Sequence, residues 1–193
     1  GLGKALKTIM HPDPNLKIYT GSFTPAGIRV SAEIVDGTIP IFMDPERFDV
    51  FEDNLAKGFA KSVGGKSIAD FDMAPYCRVV VDADLDRARD SLRGGLALYI
   101  GGMGARDKNF YNDYTCSLGY EDMAKEVQDL FLAGNRREAA GKVTDSFIDQ
   151  IALVGSPDRI RDRLAAWTDV AKDGKIGTLI INGPTPESMR VVA

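Results

Sequence analysis

Four short apolar runs rich in β-branched residues punctuate the chain: 16 to 22 (LKIYTGS), 37 to 43 (GTIPIFM), 75 to 82 (PYCRVVVD) and 177 to 183 (GTLIING). Each has the length of a buried strand. Between them apolar residues return at three- and four-residue spacing, as one face of a helix requires. Ile28, Ala32 and Val35 mark the first such stripe, and Phe48, Phe51, Leu55 and Phe59 the second. Leu85, Ala88, Leu92 and Leu96 mark a third, and Ile160, Leu164 and Trp167 a later one. The plain reading of these stripes is packing surface, not cofactor contact.

The helix starts share one device. Thr24-Pro25, Asp44-Pro45, Ser156-Pro157 and Thr185-Pro186 each set a capping oxygen before a proline, whose missing N–H costs nothing in a first helical turn. Strand, short loop and capped helix, repeated, predict parallel βα units with helices covering the sheet. The four runs should therefore be parallel neighbours in chain order. A helix leaving the third run at Asp84 is expected to descend to the bottom of the sheet near residue 100. Residues 101 to 154, with helical patterns through Met123, Val127, Leu130 and Phe131 and through Phe147, Ile148 and Ile151, then read as a helical insertion. That insertion should climb back to the strand C-termini, where barrels and open α/β sheets place their sites.

The predicted fold class is α/β of the (β/α)8 barrel type, yet the strands do not close the count. Such a barrel needs eight strands and about 250 residues, against four runs in 193 residues. The expectation is one partial domain, 1 to 193, cut at both ends, that supplies roughly the second half of a barrel. An isolated arc would leave an apolar face and two strand edges uncovered, so self-association is expected of it. A content of 44% hydrophobic and 27% charged residues is close to the average of folded domains and favours neither disorder nor a fibrous class. With a net charge of −4 and no run of Lys and Arg, nucleic acid is not an expected partner. No apolar stretch approaches the roughly 20 residues of a membrane span, and neither a span nor a signal peptide is read in the sequence, which points to the cytoplasm.

Candidate chemistry is sparse. Thr20-Gly21-Ser22-Phe23-Thr24-Pro25 ends the first run directly before a helix, and amides at a helix N-terminus with two hydroxyls can hold a phosphate. Ser22 and Thr24 could equally be caps alone. His11, the only histidine, lies in a proline-flanked connection that reads as surface. Asp82, Asp84 and Asp86 introduce a helix whose dipole favours them, and they lack the glycine and glutamate of a calcium loop. Cys77 and Cys116 sit in no metal or redox motif and read as reduced structural thiols, so no metal is expected. Lys108, Tyr111, Asn112 and Tyr114 could touch a substrate or be ordinary surface, and Gly101, Gly102 and Gly104 do not form a dinucleotide fingerprint.

The segments IYTGSFTPAGIRVSAEIVDGTIPIFMDPE, LALYIGGMGARDKNFYNDYTCSLGY, LVGSPDRIRDRLAAW and TLIINGPTPESMRVVA together resemble the second half of the luciferase-like oxidoreductases, closest to the branch that uses coenzyme F420, a deazaflavin. The resemblance implies that the four runs are the fifth to eighth strands of the barrel. It also implies that Gly21, Ser22, Phe23 and Thr24 bind the coenzyme phosphate, and that Ile41 lies near the ring. The implied reaction is hydride transfer to or from an organic substrate, with FMN-dependent monooxygenation as the alternative. An inactive fragment or truncated homologue that serves only association is a third reading. The family's acid/base residues come from the first four strands, so no catalytic residue is named. The implied partners are a small-molecule substrate and either a second copy of the chain or the N-terminal half of the same barrel.

Overall fold

A computed structural model describes residues 13–193 together with Gly3, Ile9 and His11. Among these residues six short strands, all parallel to their neighbours, replace the four expected. β1 (Tyr19–Thr20) pairs with β2 (Gly37–Thr38), and β2 with β3 (Asp72–Met73). β4 (Tyr76–Val81) pairs with β5 (Ala152–Gly155) on one side and β6 (Ile180–Asn182) on the other. Ala74 and Pro75 separate β3 from β4 by only two residues, since Pro75 has no N–H for a ladder. Hydrogen bonding continues across the break, with Ala74 N donating to the carbonyl of Thr38 (2.8 Å) and Tyr76 N to that of Pro40 (3.0 Å). The four predicted runs thus lie side by side in the predicted order.

The runs are shorter as strands than their apolar length suggested. In 37 to 43 the ladder is confined to Gly37–Thr38, because Pro40 lacks a donor and Phe42 has a positive φ of 53°. β5 was hidden within the expected insertion. It follows α7 (Asp145–Ile151) at once, and Ala152 is both the C-cap of that helix and the first strand residue.

All four Pro-led caps form. Thr24 accepts from Gly27 N at the start of α1 (Pro25–Ile34), Asp44 from Glu46 N at the short 3-10 turn Pro45–Arg47, Ser156 from Arg159 N at α8 (Pro157–Lys172) and Thr185 from Ser188 N at α9 (Pro186–Val192). α2 (Asp49–Phe59) packs on α1. The apolar stripes face inward as expected: Ile28, Ala32, Phe51, Leu55, Ala88, Leu92, Leu96, Ile160 and Trp167 are all buried.

Register separates the two faces of the arc. Thr20 and Thr38 are aligned, and Thr20 Oγ1 meets Ser31 Oγ of α1 at 2.5 Å, which makes theirs the helix-covered outer face. Tyr19, Gly37 and Asp72 are aligned on the opposite, inner face. Alternation carries that face up through Tyr76 and Arg78, with Ile180 and Asn182 beside them on β6. Within the described residues β1 and β6 each keep one free edge, and Leu16 and Ile18 are 66% and 57% exposed before β1.

α3 (Leu85–Ala97) departs from expectation. Arg78 stands opposite Ala152, and Leu92 and Leu96 of α3 border the same cleft as these two residues. α3 therefore covers the inner face instead of descending the outside. It packs on β5, on α7 and on α6 (Arg136–Lys142). The apolar stripe predicted the helix but not which side of the sheet it would choose. A π-turn, Leu98–Gly102, then leads to α4 (Phe110–Ser117) and α5 (Glu121–Leu132). Gly101 and Gly102 fit directly against Phe131 of α5; a Cβ on Gly101 would lie 2.6 Å from that of Phe131. The glycine cluster is a helix-crossing device.

Candidate active site

The turn Gly21–Thr24 leaves the end of β1 and enters α1. Beneath it lies a buried hydroxyl cluster: Thr38 Oγ1 donates to the carbonyls of Ser22 (2.8 Å) and Thr20 (3.1 Å) and receives Ser22 N at 3.3 Å. These bonds fix the turn from below. Above, the amides of Phe23, Thr24 and Ala26 have no partner among the described residues. The hydroxyl of Ser22 is also unpartnered there, and that of Thr24 only accepts, from Gly27 N at 3.2 Å. Gly27 makes this possible, because a Cβ there would collide with Ser22 Oγ and come within 2.9 Å of Thr24 Oγ1. Gly21 is open, with no atom within 4 Å of a Cβ placed on it. Partnerless amides and hydroxyls are thus gathered at the positive end of a ten-residue helix, with Gly21, Pro25 and Ala26 exposed.

Phe23 takes a different part from its neighbours. Its ring turns away from the turn into an aromatic cluster, with centroids 5.0 Å from Tyr111 and 5.3 Å from Tyr114. Only its amide remains at the turn, without a partner among the described residues.

Ile41 lies on the inner-face side, lining a cleft of about 300 Å3 with Phe42, Tyr76, Arg78, Tyr99 and Asn182. Phe42 is the only non-glycine residue with positive φ among those described, a conformation that costs a bulky side chain about 1–3 kcal/mol. Packing holds it there: its ring meets Tyr99 at 5.6 Å, Tyr111 at 6.3 Å and Phe147 at 6.5 Å. The π-turn places Tyr99 against Tyr111 in an edge-on contact of 4.8 Å. Burial, and then the neighbouring Tyr99, push the Tyr111 hydroxyl above its ordinary value, so it is a neutral donor.

The other insertion residues divide between structure and surface. Asn112 Nδ2 donates to the carbonyls of Ile100 (3.1 Å) and Ala124 (2.8 Å), tying the π-turn to α5. Asn109, which sequence reasoning passed over, is buried and caps α4 while donating to Tyr99 and Ile100 carbonyls. Its Asn-aromatic setting before a helix was the available signal. Tyr114 is buried with its hydroxyl unpartnered, and Lys108 is exposed. Tyr111 alone of the four borders the aromatic wall of the cleft.

The remaining candidates occupy ordinary positions. His11 is exposed. Asp84 caps α3, and Arg87 bridges to Asp82 at 2.5 Å and to Asp84 at 3.5 Å. Cys77 is fully buried and burial pushes its thiol up to about 12, which leaves it unreactive. Both cysteines are free.

Asp44, by contrast, is a buried carboxylate next to the site, 3% exposed, with Glu46 N at 2.9 Å as its donor. Burial raises its carboxyl above the ordinary 3.8, outweighing the hydrogen bond from Glu46 and the nearby Arg47. A folded value above the unfolded one means the folded state binds the extra proton, so stability falls as pH rises from 3.8 through the raised value. Asp44→Asn keeps the cap and removes this penalty. The variant should match or exceed the wild type at neutral pH in urea midpoints, and the wild type should gain on it as pH falls towards 3.8. Equal midpoints at every pH would contradict this reading.

A parallel βα arc with a cleft on its inner face, and with free amides and hydroxyls just after the C-terminal end of β1, is α/β architecture of the (β/α)8 barrel type. The model of the luciferase-like monooxygenase family matches residues 3–173, and the chain belongs to that family. It is 34% identical, over its full length and 55% of the other protein, to a Mycobacterium tuberculosis protein provisionally named a coenzyme F420-dependent oxidoreductase. It is 29% identical over 84% of its length to the 5,10-methylenetetrahydromethanopterin reductase of Archaeoglobus fulgidus, of which it covers 49%. The solved coenzyme F420-dependent tetrahydromethanopterin reductase of Methanopyrus kandleri superposes with a TM-score of 0.67 at 19% identity, over 92% of this chain and 48% of that one, a likeness of fold. The chain thus spans about half the length of the curated relatives it matches. No helix among the described residues is long and apolar enough to cross a membrane.

Proposed function

We propose that this chain forms part of an oxidoreductase that transfers hydride between coenzyme F420 and an organic substrate. The observation that carries this reading is the turn Gly21–Thr24, where unpartnered amides and two hydroxyls sit at the N-terminus of α1. The residues present fit a phosphate: Gly21 leaves the approach open, and Gly27 leaves room for Ser22 Oγ beside the helix end. The name of the Mycobacterium tuberculosis relative favours a deazaflavin as the molecule that carries the phosphate. When bound, the deazaflavin supplies the hydride chemistry, and the protein supplies binding, orientation and exclusion of water.

In this reading Ser22, Thr24 and the amides of Phe23, Thr24 and Ala26 hold the phosphate, while Ile41 borders the ring. Residues 101 to 154 act as a helical insertion that, together with α3, roofs the substrate side. Phe42, Tyr99 and Tyr111 form the aromatic wall of that space. Partners outside this chain, a second copy or further barrel strands, would cover the free edges of β1 and β6.

The test is titration of the complete protein with coenzyme F420 and, in parallel, with FMN. Replacing Ser22 and Thr24 together by Ala removes two bonds to a charged group, each worth roughly 1.5–3 kcal/mol. Affinity for F420 should fall at least about tenfold, with a separate stability loss of about 0.5–2 kcal/mol from the lost cap. Unchanged affinity would place the phosphate elsewhere, and tight FMN with no F420 binding would reverse the choice of cofactor.

A further inference from the structure

The inner-face cleft holds one feature that the cofactor reading does not use. Arg78 of β4 points into it, level with Asn182 of β6 and bordered by Phe42, Tyr76 and Tyr99. Several arginines are matched to acids, Arg87 to Asp82, Arg89 and Arg159 to Asp149, Arg93 to Asp90 and Asp145, Arg106 to Asp129, whereas Arg29 bonds Asn54, Arg163 the Asp149 carbonyl, and Arg136 lies over the Phe131 ring. Arg78 has neither an ion pair nor a hydrogen bond from its guanidinium among the described residues. Its surroundings are shaped to leave it free. A Cβ on Gly183 would stand 3.1 Å from Arg78 Nη1, and that glycine has a φ of +69°, which a side chain rarely adopts. The walls beside it are aromatic, and Phe42 is held in a strained backbone conformation to form one of them.

We infer that Arg78, with Asn182 beside it, is the binding residue for the carboxylate of a flat organic acid, and that this chain's substrate belongs to that class. A guanidinium offers a planar fork that matches a carboxylate through two parallel hydrogen bonds, and the amide of Asn182 adds a neutral donor on the next strand. Edge-on rings spaced 5.6 Å apart at Phe42 and Tyr99 line one side of the space with flat, weakly polar surface. A planar acid would set its charged end on Arg78 and its body against these rings, beside Ile41. This inference rests on the proposed function for the identity of the bound group as substrate. The coenzyme's own acidic groups are the other source of a matching anion, and the experiment separates the two.

Benzoate and benzamide share a ring and differ in charge, so they serve as probes of the complete protein by calorimetric titration, with coenzyme F420 affinity measured alongside. The expected result is benzoate binding at least about tenfold tighter than benzamide. Arg78→Gln should abolish that preference, Arg78→Lys should keep part of it, and F420 affinity and melting temperature should stay unchanged in both. A preference that survives Arg78→Gln, or no benzoate binding to the wild type, overturns the inference. So does a loss of F420 affinity in Arg78→Gln with benzoate binding intact, because the anion is then the coenzyme's. If the wild type fails to bind F420 but shows an Arg78-dependent benzoate preference, the cofactor reading fails and the carboxylate site stands.

Discussion

Phe147→Ala should cost the complete protein about 3–5 kcal/mol of stability, the range for removing a fully buried aromatic ring. Phe147 is fully buried on α7, with Tyr120 at 5.1 Å and Phe42 at 6.5 Å. It joins the segment after α5 to the end of the β2 run, so its loss leaves a cavity between roof and barrel wall. Part of the cost is expected to appear at the cleft, because Phe42 loses one of the three rings that hold its backbone at positive φ. Phe147→Leu should recover much of the loss by refilling apolar volume. Chemical denaturation gives both values. A loss below about 1.5 kcal/mol for the alanine variant would mean that the cavity collapses and that Phe147 is not the anchor.

Asp149→Ala is expected to destabilise by about 2–4 kcal/mol, somewhat less than the 3–5 typical of a fully buried broken pair. The discount reflects residual solvent: the Arg89 and Asp149 side chains are 13% and 18% exposed. Asp149 lies on α7, accepts two bonds from Arg89 of α3 at 3.2 Å and 2.6 Å, and meets Arg159 of α8 at 2.9 Å. Removing it strands two guanidinium groups, and the carboxylate of Asp145, 3.2 Å from Arg89, compensates only one of them. Asp149→Asn keeps the shape and one acceptor, so its cost should be smaller. The difference between the two variants should shrink little with added salt, as screening acts weakly on enclosed pairs. A loss within about 0.5 kcal/mol of wild type would show that these charges act as exposed ones do.

Both residues tie the 101 to 154 segment to the flanking elements, and their legibility in the sequence differed. Phe147 belonged to an apolar stripe and could be placed in a core from spacing alone. Asp149 could not be recognised, because it lies 60 residues from Arg89, and no local pattern announces so distant a pair. The same division runs through the site. Gly21, Ser22 and Thr24 were legible, since a glycine and two hydroxyls between a strand and a Pro-led helix have a local physical meaning. The inward turn of the Phe23 ring was not, because Tyr111 and Tyr114, which hold it, come from an element nearly ninety residues on. Arg78 is one basic residue within an apolar strand, and nothing in its local pattern marks it. Only the register with Asn182 and the position of Gly183 show that it faces the cleft without a partner.

By itself the sequence determined the parallel order of its four apolar runs, the four Pro-led caps, the core stripes and the likeness to the luciferase-like family. Each of these depends on interactions within a few residues or on a period repeated along one element. The tertiary structure decided the rest: where the ladders stop, that Ala152–Gly155 is a strand, that α3 roofs the inner face, and which side chains are left free in the cleft. The physical reason is that strand pairing and helix docking bury apolar surface contributed from far along the chain. A run such as GTIPIFM or ALVG has the same propensity wherever it lies, and its neighbours choose its conformation.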